Sequence, residues 1–148
     1  MGKLKVQQVY GLKGLNKMKI KARFIIEAVG EPKELVEKTL KSMTKAISEK
    51  FEVKESMVEK PKKTGERFYS SFLEITILFK NPQFLFEFIT YYTPTIVEIL
   101  EPYKIEVGAG ELENICNDIM GKIHEMDKRL KSTVSVNKIL SRQIGNTK

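Results

Sequence analysis

From Leu112 onward the chain carries one feature that constrains it more than any other. Leu112, Cys116, Ile119, Ile123, Met126 and Leu130 recur at intervals of 4, 3, 4, 3 and 4 residues. Such spacing follows one side of an α-helix, and a stripe this regular has to pack against a second surface. The same register continues through Thr133, Asn137, Leu140 and Ile144. With Leu112 at heptad position d, the a positions are Cys116, Ile123, Leu130, Asn137 and Ile144. A single Asn at an a position fixes coiled-coil register at some cost in stability. Lys122 at g and Asp127 at the following e are placed to pair across a parallel dimer. Ile115, Met120, Val134 and Val136 flank the seam at e and g, so the stripe is wider than two strands need. Two packings answer the pattern. In one, copies of the helix join to each other. In the other, residues 111–130 cover the domain's own sheet and 131–148 fray, because Thr133-Val134-Ser135-Val136 is poor in helix propensity. The first is the expectation, with a homo-oligomer as its outcome.

The segment before this helix reads as a small α+β domain. Ile20, Ala22, Phe24 and Ile26 alternate with Lys19, Lys21, Arg23 and Ile25, the pattern of a strand with one buried face over 18–29. Pro32 opens a helix over 32–50 whose apolar positions are Val36, Leu40, Met43 and Ile47. A second strand spans 51–60 and a Pro61–Gly65 turn follows. A third strand covers 66–80, with Tyr69, Ser71, Leu73, Ile75, Ile77 and Phe79 on one face. Asn81-Pro82 signals the start of a helix that Pro94 ends. A fourth strand runs from Thr95 to Leu100, and 104–107 offers a short fifth. The resulting order, β-α-β-β-α-β and then a helix, predicts a ferredoxin-like sandwich with a long C-terminal heptad-patterned helix. Three parts follow: a basic N-terminal arm at 1–17, a ferredoxin-like domain at 18–107, and an amphipathic helix with a basic tail at 108–148. The face of the sheet away from the two helices carries Ile25, Phe68, Phe72 and Ile96, large groups that call for a cover.

Charge is segregated along the chain. The net charge is +7, from 26 basic and 19 acidic residues. Lys3, Lys5, Lys13, Lys17, Lys19, Lys21 and Arg23 lie in the first 23 residues with no acid among them. Lys128, Arg129, Lys131, Lys138, Arg142 and Lys148 fill the last stretch, again without an acid. The body between is therefore acidic and would repel phosphate, so a nucleic-acid contact has to rest on the two ends. The same ends suit an acidic partner, or the acidic bodies of neighbouring subunits. A single cysteine excludes an internal disulfide and fits a reducing, cytoplasmic setting. No apolar run approaches a membrane span, so no membrane partner is expected.

Candidate chemistry is sparse. Cys116, Met120 and His124 share one helical stripe, but one chain supplies too few ligands for a metal, and a packing role for Cys116 and Met120 is favoured. Glu74 and Glu98, with Glu27, could form an acidic spot facing Lys19, Lys21 and Arg23; cross-strand salt bridges are the expected use. Gly108-x-Gly110 lacks the third glycine of a dinucleotide loop and has Glu113 in its place. Phe68 and Phe72 partly match the aromatic strand of RNA-recognition motifs, but Ser70 stands where an aromatic would stack. No cofactor is implied.

The stretch FLEITILFKNPQFLFEFITYYTPTIVEILEP, residues 72–102, resembles the C-terminal extension domain of WYL-type transcriptional regulators. A strand leads to a short helix, a bend, and a strand of Val97, Glu98, Ile99, Leu100, Glu101 and Pro102. The resemblance implies a ferredoxin-like fold of the kind that serves assembly and effector sensing in those regulators. This chain departs from them in lacking the WYL core and a DNA-binding helix pair, and in adding the heptad helix. The resulting expectation is a non-enzymatic oligomerising or regulatory binding module. A nucleic-acid-binding protein using the basic ends is the alternative, and an enzyme with a site shared between subunits is the third.

Overall fold

A computed structural model describes residues 18–146. The arm at 1–17, with Lys3, Lys5, Lys13 and Lys17, lies outside the described residues, as does Lys148. The chain divides into two compact units at Val107–Gly108.

The first unit is α+β. Its elements are β1 (Ile20–Gly30), α1 (Lys33–Lys50), β2 (Glu52–Val58), β3 (Lys62–Thr64), β4 (Phe68–Phe79), α2 (Pro82–Tyr92) and β5 (Ile96–Glu101). The sheet order is β2-β4-β1-β5, with β3 paired to β4, and every described pairing is antiparallel. With the three-residue β3 set aside, the succession is the expected β-α-β-β-α-β.

Two strands with clean alternation make the centre of the sheet. β1 and β4 pair from Ile20↔Phe79 to Gly30↔Tyr69. Paired residues share a face, so Ile20, Ala22, Phe24 and Ile26 join Leu73, Ile75, Ile77 and Phe79 in one buried layer. Leu40 and Ile47 of α1 and Leu85 and Phe88 of α2 close that layer, which puts both helices on the same face. Phe88 is its hub: its ring centroid lies 4.5 Å from that of Phe24, 5.7 Å from Phe79 and 5.5 Å from Phe51. Tilted and edge-on contacts of this kind add to the burial of the rings.

The ends of α2 follow from its sequence. Asn81 Oδ1 accepts from the Phe84 backbone N–H at 3.1 Å, and Pro82 occupies the first turn, where no N–H is needed. Thr93 adopts φ 45°, a left-handed cap, and its N–H bonds Ile89 O at 2.9 Å.

Three expectations are corrected. Residues 61–65 are not simply a turn: Lys62–Thr64 form β3 against Phe68–Ser70, and the chain reverses after it at Gly65, whose φ of 66° suits a residue without Cβ. Residues 104–107 form no strand; Ile105 instead packs against the core cluster. Pro32 is the N-cap of α1 and not its first helical residue, with its carbonyl accepting from Leu35 N at 3.0 Å.

The second unit is one helix, α3 (Ala109–Asn146), 38 residues long. At 1.5 Å per residue it extends about 57 Å. It continues through Thr133-Val134-Ser135-Val136, where fraying was the alternative. Thr133 Oγ1 donates to Arg129 O and Ser135 Oγ to Lys131 O, both at 2.9 Å. These bonds satisfy the two hydroxyls on carbonyls of the preceding turn, within the helix itself. Among the described residues, no helix is long and apolar enough to cross a membrane.

Candidate assembly surface

The seam of α3 is built by period alone. Leu112, Ile123, Met126, Leu130, Leu140 and Ile144 lie along one side and are between 48% and 67% exposed. Cys116, Thr133 and Asn137 are exposed in the same row, and Ile119 is half-buried. Met120, Val134 and Val136 widen the exposed apolar strip. Helices in proteins draw most of their stability from packing an apolar face, which makes the strip the candidate contact surface.

Charge on α3 changes sign midway. Glu111, Glu113, Asp118, Glu125 and Asp127 lie in its first half with Lys122 as the one base; Lys128, Arg129, Lys131, Lys138 and Arg142 lie in its second. This order matches the helix dipole. Two pairs bind the junction along the helix: Arg129 Nη2 to Glu125 Oε1 at 2.5 Å and Lys131 Nζ to Asp127 Oδ2 at 2.7 Å. Lys128, Lys131, Lys138 and Arg142 fall at f, b, b and f, so they form a basic ridge on the side away from the seam. The sequence holds this signal in its 3, 7 and 4 spacing, but a reading of the segment as a basic tail overlooks it.

The sheet carries a second surface. Opposite the core layer lie Ile25, Phe68, Phe72 and Ile96, as the alternation requires; Phe68 and Ile96 are exposed, and Ile25 and Phe72 are half-buried. Val29 and Met57 are exposed on the same face. Arg23 crosses its middle. Its Nη1 donates to Glu74 Oε1 at 2.6 Å and its Nε to Glu98 Oε2 at 2.8 Å. Hydrogen bonds to Glu98 and then to Glu74 hold the guanidinium further above its ordinary value. The acidic spot is thus a three-strand ionic bridge; Glu27 stands outside it, opposite Phe72.

A cleft of about 390 Å³ is lined by Lys19, Glu52, Leu78, Phe79, Lys80, Asn81 and Phe84. The Glu52 carboxylate is taken by Lys54 at 2.6 Å, and Asn81 caps α2. Cys116, Met120 and His124 follow one another along α3, all exposed. Among the described residues no three His, Cys, Asp or Glu side chains cluster as a metal site would require.

Fold and surface together define a small α+β domain followed by a long amphipathic helix with exposed apolar residues along one side. The chain belongs to the MJ0538 family, whose model matches residues 21–148 and so takes in both the sheet and α3. No curated protein and no solved structure matches the chain.

Proposed function

We propose that the chain is a homo-oligomerising module, non-enzymatic, in which α3 joins one copy to another. One observation carries this reading: six apolar residues of the seam, Leu112, Ile123, Met126, Leu130, Leu140 and Ile144, are 48% to 67% exposed along a helix of 38 residues. A second copy is the occupant this seam fits. It offers the same 3-and-4 spacing, so knobs meet holes along the whole length. The regulatory binding role, if assembly serves one, belongs to the α+β unit, whose open face carries Phe68, Phe72 and the Arg23 bridge.

The test is a double substitution in the seam, Ile123→Ser with Leu130→Ser. Light scattering should show the full chain associated and the variant shifted toward monomer, with the circular dichroism of the α+β unit retained. Equal masses for the two chains would remove α3 as the joint.

A second reading is favoured by the basic ridge. Lys128, Lys131, Lys138 and Arg142 present one sign of charge along the outer side of α3, at a spacing that can follow a phosphate backbone. Binding to generic DNA or RNA should weaken steeply with salt, and Lys128→Gln with Lys138→Gln should flatten the dependence. Binding that ignores salt, or no binding near physiological salt, would dismiss this reading.

A further inference from the structure

We infer that α3 pairs with α3 of a second copy in parallel and in register, with the two Asn137 side chains facing each other; the inference rests on the self-assembly reading and sets its geometry. In a parallel pair each a position meets its own counterpart. The Asn137 amide then finds a second amide, and donors and acceptors match. In a fully overlapped antiparallel pair, with Leu112 opposite Ile144, Asn137 would stand against Ile119 of the second copy. Its amide would lose water and gain no partner there.

The rest of the seam is mixed: Ile123 and Ile144 at a with Leu112 and Leu140 at d suit two parallel strands, whereas Leu130 at a and Ile119 at d do not, so the orientation rests on Asn137 and on the flanking charges. Lys122 at g stands five positions before Asp127 at e, the spacing that brings opposite charges together across a parallel pair. The antiparallel arrangement would set Asp127 against Asp127 and Arg129 against Arg129.

The segregation of charge opposes this orientation, because acidic half would lie beside acidic half. Distance decides the balance. Glu111, Asp118, Glu125, Lys128, Lys131, Lys138 and Arg142 occupy b, c and f, on the outer sides. With helices about 10–12 Å across, outer charges on two copies are about 20 Å apart. That exceeds the screening length of about 8 Å at physiological ionic strength. Glu125 is moreover already paired within its own helix. The groups in contact range therefore set the orientation.

Cys116, the one cysteine, supplies the test because it sits at a. Mild oxidation of the full chain should join Cys116 to Cys116 of a second copy, and Cys116→Ser should abolish the link. In a Leu140→Cys chain, peptide mapping should find 116–116 and 140–140 links; 116–140 links would overturn the orientation. A second measurement avoids the seam. Spin labels on Asn114→Cys in the Cys116→Ser chain, at an f position, should lie level with each other. In the fully overlapped antiparallel pair they would stand about 42 Å apart along the axis, from 1.5 Å per residue. A chain that stays monomeric would remove the assembly reading and this one with it. An associated chain with 116–140 links or the long distance would overturn the orientation alone.

Discussion

Lys131 Nζ lies 2.7 Å from Asp127 Oδ2, one turn back along α3, and the pair straddles the point where the helix changes from acidic to basic. Bridges there quench the charges nearest the middle and leave the two ends of opposite sign. In a parallel pair, like ends lie side by side. Lowering the ionic strength to about 0.01 M extends the screening length to about 30 Å and exposes that repulsion. Association measured by sedimentation should then weaken several-fold and recover on adding salt. Association that strengthens at low salt would speak for antiparallel helices.

Phe88 joins α2 to the sheet through Phe24, Phe79 and Phe51. Phe88→Ala should cost about 3–5 kcal/mol, since the ring is fully buried and the cavity cannot collapse around three other rings. Guanidinium unfolding followed by near-ultraviolet dichroism measures it. A loss under about 1 kcal/mol would show that the cluster is not packed this way.

Asn81→Ala removes the acceptor for the Phe84 N–H. A loss of about 1 kcal/mol is expected, and Asn81→Asp should retain most of the stability, because its carboxylate can accept the same bond. Denaturant midpoints of the two variants separate the cap from a general effect of substitution.

Lys41 Nζ lies 2.7 Å from Glu37 Oε1, and this hydrogen bond holds the Glu37 carboxyl below its ordinary value. A carboxyl depressed in the folded state contributes stability above its unfolded value. That contribution is lost as pH falls through the folded one. Lys41→Gln should raise the Glu37 titration toward the ordinary glutamate range in a carbon-detected NMR titration, with little change in stability at neutral pH, because the pair is exposed. An unchanged titration would show that the pair does not persist in solution.

Much of the fold was legible because β1 and β4 keep a strict period of two over a long run. Asn81-Pro82 marked α2 for an equally local reason, a side-chain acceptor followed by a residue with no N–H. Lys62–Thr64 was not legible as a strand: its three residues are all exposed, so it has no apolar alternation to announce it. Residues 104–107 misled in the opposite sense. Ile105 and Val107 alternate with charged residues, but no strand offers the segment a ladder, and Ile105 serves the core instead. Fraying at Thr133–Val136, the alternative reading, rested on intrinsic propensity alone, and the helix runs through the segment. On the open face, the residues of the ionic bridge were readable but their partners were not. Register sets Glu98 directly opposite Arg23 and leaves Glu74 on the diagonal, and register is a property of the whole sheet. The helix α3 and its apolar stripe were readable, since a period of 3 and 4 needs nothing beyond the helix itself.

Sedimentation equilibrium of the full chain across the micromolar range asks most directly whether α3 joins copies. The expected result is a mass twice that of the monomer, falling toward the monomer when Ile123 and Leu130 are both replaced by Ser. A single species of monomer mass, at every concentration the chain tolerates, would contradict it.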